Sequence, residues 1–437
     1  MAQATIIGGG LAGSEAAYQL AKRGYQVDLF EMRPDKMTPA HHSGKFAELV
    51  CSNSLRSDRL TSAAGLLKEE LRHLDSLIIR AADNNKVPAG SALAVDREGF
   101  ADSITAELKS SDKINIICQE VAEIPDRRPL IIATGPLTSS ALAENIKKLT
   151  GKDYLYFYDA AAPIVTAESL NYDIVFRASR YDEDRGDYLN APLNQEQFLS
   201  FWEFLLQAEC HKPHDFERGN YFEGCLPLEV MAKRGHKTLL YGPMKPVGLT
   251  DPRTGSEPHA VVQLRQDNRQ GTLYNMVGFQ TQLKWGEQDE MLKYIPGMEE
   301  AEIVRYGVMH RNTYLNSPGL LTAGYQFKEE PGLFFAGQLT GVEGYIESTA
   351  SGLIAGINAA CTLAGNEPLE FPLETTIGSL AAYIADEQKD RLNPMNINFG
   401  LLPPLEEKIS DKEQRNKARA ERALDKLAEF KAIYNIN

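Results

Sequence analysis

Apolar and polar positions alternate with a clear period at the start of the chain. The run "ATIIGGGLAGSEAAYQLAKRGYQVDLFEMR" reads as a short apolar strand, a glycine turn, a helix with apolar residues at helical spacing through Leu20, and a second apolar strand ending at Glu31. This predicts a βαβ unit. Near the other end, "GLFFAGQLTGVEGYIESTASGLIAGINAAC" (332–361) repeats the theme as a hydrophobic strand, a glycine-rich turn and a long helix of small residues. Between them, "PLIIATGP" (129–136) predicts one further short strand.

The middle of the chain has a different texture. It begins with an aromatic amphipathic helix, "NQEQFLSFWEFLLQAE", and continues with strand candidates broken by Gly and Pro: "TLLYGPMKPVGL", "HAVVQLRQ" and "LYNMVGFQTQL". The tail, "EEKISDKEQRNKARAERALDKLAEFKAIYN", predicts a charged helix with an apolar stripe at Ala420, Leu424, Leu427 and Phe430, packed on the surface. The predicted fold class is α/β: a Rossmann-like domain built from 1–185 and 325–437, interrupted by a smaller α+β insertion at 186–324.

The glycines give the first element its chemistry. Gly8, Gly10 and Gly13 form GxGxxG between a strand and a helix, a spacing that permits a tight turn, close approach of backbone to a pyrophosphate, and close helix–strand packing. Gly9, Leu11 and Ala12 complete the phosphate turn at the positive end of the helix. Glu31, 18 residues beyond Gly13, is placed to accept hydrogen bonds from ribose hydroxyls. The second glycine turn, with Gly337, Gln338, Gly344 and Tyr345, favours FAD over NAD as the tightly held dinucleotide. Gln338 stands where flavoproteins of this type usually carry an Asp, and Tyr345 is placed to stack on flavin, folate or base.

Composition narrows the setting. A formal net charge of −14 argues against a chain that coats nucleic acid, so an RNA partner has to be met by a local basic patch. The cluster Lys233, Arg234, His236 and Lys237 is the candidate. No apolar run approaches the ~20 residues of a membrane span, and the start lacks signal-peptide features, so a cytoplasmic protein without membrane association is expected. Five cysteines without a CxxC pair make neither a disulfide framework nor a zinc site, and no metal is expected. Cys118 and Cys361 lie in apolar runs and read as core residues, and Cys210 as the end of the amphipathic helix. Cys51, in "CSNSLRSDR", and Cys225, in a glycine-proline turn ahead of Lys233, lie in polar or basic surroundings of the kind that favour a thiolate.

Several long blocks carry a more specific signal: "GGGLAGSEAA", "ELVCSNSLRSD", "YFEGCLPLEVMA", "GPMKPVGL", "MVGFQTQLKWGEQ" and "GYIESTASG". With these blocks spread along almost the whole chain, the sequence resembles the TrmFO family of folate- and FAD-dependent tRNA (uracil-5-)-methyltransferases. The resemblance implies a GidA-related flavoprotein fold and transfer of a one-carbon unit from methylenetetrahydrofolate to C5 of the T-loop uridine of tRNA. It further implies FAD as methylene carrier and reductant, NAD(P)H as electron source, and no obligate protein partner. It assigns Cys225 as the nucleophile that activates the uracil and places Cys51 near the flavin. Two alternatives are a GidA-like flavoprotein that modifies the wobble uridine, which is longer and works with a GTPase, and a non-catalytic RNA-binding protein stiffened by FAD.

Overall fold

The computed structural model describes residues 3–152, 154–180, 186–211 and 226–436. Five parallel strands form one sheet in the order Leu333–Phe335, Leu130–Ile132, Gln3–Ile7, Gln26–Glu31, Ile114–Cys118. The central strand, Gln3–Ile7, is almost wholly buried, as expected where helices cover both faces of a parallel sheet.

The two glycine turns predicted at opposite ends of the sequence meet because their helices pack backbone to backbone. Gly352 and Gly356, in the helix Tyr345–Leu363, face Ala12 and Ala16 of the helix Leu11–Lys22. A Cβ on Gly352 would lie 2.2 Å from Ala12 O, and one on Gly356 would lie 2.9 Å from Ala16 O. Only small residues permit this approach, and it brings both helix N-termini to one side of the sheet.

A second sheet is antiparallel, in the order Phe176–Ala178, Tyr188–Leu193, Ala260–Gln266, Leu273–Met276, Ile164–Thr166, Ile303–Arg305. The amphipathic helix Gln195–Gln207 covers it through Phe198, Phe201 and Leu205. A capping box starts this helix: Gln197 N donates to Asn194 Oδ1, and Asn194 N donates to Gln197 Oε1, both at 2.9 Å. This sheet has its own apolar core, running from Ala162 to Met298, with Ile303 packed against it. The antiparallel pair Leu155–Ala160 and Met309–Tyr314 joins the two parts.

Three local expectations need correction. "TLLYGPMKPVGL" is not a strand: its first residues finish the short helix His236–Tyr241, which Gly235 and Gly242 bound, and turns follow. Cys118 is exposed rather than buried, because Ile114–Cys118 is the outermost strand of the parallel sheet and only one neighbour covers it. Cys210 lies beyond the end of its helix and bridges Leu283, and burial pushes its thiol up to about 11. Cys361 is half-buried against the main core. The tail helix, Lys412–Tyr434, buries Ala420, Ala423, Leu427 and Phe430, with the Phe430 ring tilted against Phe371 at a centroid distance of 4.7 Å.

Candidate active site

A cavity of 370 Å³ runs along the carboxyl ends of the parallel strands, where ligands bind in open α/β sheets. Gly8, Gly10, Leu11, Ala12 and Glu31 line it. Gly337, Gln338, Gly344, Tyr345 and Cys51 line it as well, with Gly337 next to Ala12. Gly9 and Gly13 stand behind this wall. A Cβ on Gly13 would lie 1.8 Å from Gly8 O, so this glycine serves packing, whereas a Cβ on Gly10 would meet no protein atom within 4 Å. The helix Leu11–Lys22 has no side-chain cap, which leaves its first N–H groups to whatever occupies the cavity. An open position at Gly10 beside an uncapped helix N-terminus fits the pyrophosphate of a dinucleotide.

Glu31, in the cavity wall, is tightly held. Its Oε2 accepts from Gly9 N at 2.8 Å and from Arg33 Nη2 at 3.1 Å, and its Oε1 accepts from Arg33 N and Nε, both at 3.0 Å. Burial opposes the charge on Glu31, but the hydrogen bonds and charge of Arg33 prevail and hold the carboxyl below its ordinary value. Arg33 also lies 3.5 Å from Glu48, which accepts from His42 N, Ser43 N and Ser43 Oγ and so fixes the covering loop. His41, in this loop, is pushed down to about 4 by burial and by the nearby Arg33.

Cys51 lies in the same wall, held by Tyr345. Tyr345 Oη accepts from Cys51 N at 2.9 Å and from Ser52 N at 3.3 Å, and Cys51 Sγ donates to Ala160 O at 3.7 Å. Beside it, Gly344 has φ +110, and a Cβ there would lie 2.4 Å from Glu347 Oε2. Glu347 is fully buried, pairs with Arg56 and accepts from Ile397 N at 2.8 Å. Gln338 is turned by its Nε2 to Glu343 Oε2 at 2.6 Å, and Gly337 N donates to Ser351 Oγ at 2.7 Å.

The sequence reading missed three arginines around this turn. Arg97 donates to Leu49 O, Arg305 to Val50 O at 2.8 Å, and Arg265 to Ser52 Oγ at 2.7 Å and Asn53 Oδ1 at 2.9 Å. One sequence signal pointed to them: an Arg in "HAVVQLRQ", an apolar run that turns out to be buried along its whole length. A charge in such a run requires buried partners.

Lys233, Arg234, His236 and Lys237 are exposed on and between two short helices, Leu228–Lys233 and His236–Tyr241, outside the cavity lining. Cys225 lies outside the described residues. Just beyond it, Leu228 N donates to Gln280 O at 2.7 Å. The next residue along, Thr281, donates its N–H to Ala161 O in the cavity wall at 3.3 Å. Among the described residues, no His, Cys, Asp or Glu cluster is arranged to hold a metal, and no helix is long and apolar enough to cross a membrane.

Fold and cavity together define a Rossmann-like dinucleotide-binding protein with an antiparallel domain set beside its C-terminal strand ends. Residues 3–367 match the family described as "Glucose inhibited division protein A". A protein of Natranaerobius thermophilus named "Methylenetetrahydrofolate--tRNA-(uracil-5-)-methyltransferase TrmFO" is 61% identical over 426 residues, covering 98% of each chain. The Bacillus licheniformis protein of the same name is 61% identical over 422 residues, covering 97% of each chain. Among solved structures, GidA of Aquifex aeolicus superposes with a TM-score of 0.73 at 17% identity, covering all of this chain and 74% of that one. The chain belongs to the TrmFO family, and its fold is that of GidA.

Proposed function

We propose that this chain methylates C5 of a uridine in tRNA, the T-loop uridine, with methylenetetrahydrofolate as one-carbon donor, FAD as bound cofactor and NAD(P)H as electron source. The observation that carries this reading is one cavity lined both by the open position at Gly10 and by Cys51. FAD, when bound, supplies the electrons that turn a methylene into a methyl group. The protein's residues do the rest. Gly10 and the N-terminus of Leu11–Lys22 receive the pyrophosphate, Glu31 with Arg33 closes the adenosine end, and Gly337, Gln338, Gly344 and Tyr345 border the reactive ring.

Uracil C5 is a poor nucleophile until something adds to C6. Cys225 supplies the thiolate: it bonds to C6, C5 becomes enolate-like and attacks the one-carbon unit, and loss of the C5 proton expels the thiolate again. Cys225 precedes Leu228 by three positions in the sequence, and Leu228 N donates to Gln280 O, next to the Thr281 contact with Ala161. Cys51 acts from the cavity wall, where it shields or supports the reacting carbon. The Lys233, Arg234 and Lys237 cluster meets RNA phosphates.

The test is incubation of the purified protein with unmodified tRNA transcript, methylene-labelled folate and NADPH or NADH, followed by nucleoside analysis. Labelled 5-methyluridine at the T-loop position is expected. Its absence with FAD-loaded protein rejects the proposal.

A further inference from the structure

Arg265 belongs to the strand Ala260–Gln266 of the second sheet, yet its guanidinium serves the turn that carries Cys51. Nε donates to Asn53 Oδ1 and Nη2 to Ser52 Oγ, while Nη2 also reaches Asn275 Oδ1 at 3.3 Å. Asn53 is itself fixed, its Nδ2 donating to Val95 O at 2.8 Å and to Gln266 O at 3.0 Å. A fork that bonds two successive side chains of one turn sets both the position and the orientation of that turn.

The electrostatics point the same way. Arg97 is matched by Asp267, with contacts of 2.9 and 3.2 Å. Among the described residues, no carboxylate lies within ion-pair distance of Arg265 or Arg305. Arg265 is 7% exposed, so its charge is poorly screened. Arg97 and Arg265 both act on the thiol electrostatically, the Tyr345 hydroxyl is turned to the backbone N–H of Cys51, and Tyr188 and Asp267 act in turn on Arg265. Arg305 stands one residue away on Val50 O, with Asp267 and Glu48 acting on it. The Sγ contact to Ala160 O favours the neutral thiol, and the guanidinium of Arg265, which has no direct ion-pair partner among the described residues, opposes it.

We propose that Arg265 is a positioning residue for Cys51: from the second core it fixes the 51–53 turn and favours thiolate over thiol in the cavity wall. This rests on the reading of Cys51 as part of the reacting site, but its test needs neither RNA nor folate. The rate of iodoacetamide alkylation of Cys51 in the FAD-loaded full chain is followed against pH by peptide mass spectrometry. In the wild type, the midpoint is expected about one unit or more below the ordinary thiol value of about 8.5. Arg265→Met is expected to raise it by about one unit, which slows alkylation at pH 7 about tenfold, with FAD content unchanged. Arg265→Lys keeps the charge and loses the fork, and its midpoint is expected between the two. It decides the matter if the methionine variant does not fold. A wild-type midpoint at 8.5 or above, or folded variants with the wild-type midpoint, overturns the proposal. A wild type that alkylates as expected but makes no 5-methyluridine rejects the methyltransferase reading and leaves the role of Arg265 standing.

Discussion

The hydroxyl of Tyr345 accepts the backbone N–H of Cys51 at 2.9 Å, across 294 positions of sequence. Tyr345 opens the helix that packs on the helix Leu11–Lys22, so this contact ties the Cys51 turn to the glycine turn at the start of the chain. Tyr345→Phe keeps the ring and removes the acceptor for Cys51 N and Ser52 N. The expected cost is about 1 kcal/mol of stability, with FAD retained and methyl transfer slowed severalfold. Thermal unfolding and single-turnover kinetics check it, and unchanged turnover would reduce the contact to packing.

Two neighbouring glycines are expected to fail differently. Gly10→Val adds atoms where no protein atom stands, so the chain should fold with near-normal melting temperature but lose FAD. Gly13→Ala drives a methyl group into Gly8 O and should prevent stable folding altogether. Flavin absorbance per chain and calorimetry separate the two outcomes; a yellow Gly10→Val protein would move the pyrophosphate site elsewhere.

Much of this end of the molecule was legible from sequence because its signals are local. A glycine spacing, an apolar period and an acid at a strand end all fall within Ala4–Glu31. The arginines around Cys51 were not, because Arg265 meets Asn53 across 212 positions and Arg305 meets Val50 across 255. Cys118 was misjudged for a related reason: an apolar run announces a strand but not whether that strand lies at the sheet edge. The engagement of Glu31 by Arg33 was likewise invisible, since it depends on how the chain bends after the strand.

His41 gives a pH prediction with a definite sign. Its folded value of about 4 lies below the ordinary 6.5, so the unfolded chain takes up a proton between these values while the folded chain does not. The stability this provides is present above pH 6.5 and is lost as pH falls from 6.5 toward 4. His41→Gln should therefore flatten the decline of melting temperature over that window, and an unchanged slope would remove His41 from the account.

The exposed basic cluster makes a separate claim about RNA. Reversing Lys233 and Arg234 to Glu should weaken tRNA binding about tenfold or more at low salt and reduce the salt dependence, through fewer released counterions, with FAD content unchanged. Unaltered affinity would place the RNA on another face, with the basic residues of the helix Lys412–Tyr434 next in line.

The most direct measurement uses tRNA whose target uridine carries fluorine at C5. Release of the nucleoside requires loss of a proton from C5, and fluorine cannot leave that way, so the attacking cysteine stays bonded to C6. The account predicts a covalent adduct that survives denaturing electrophoresis, maps to the peptide containing Cys225, and is absent in Cys225→Ala while that variant keeps its FAD. An adduct on Cys51, or near-normal methylation by Cys225→Ala, would contradict it.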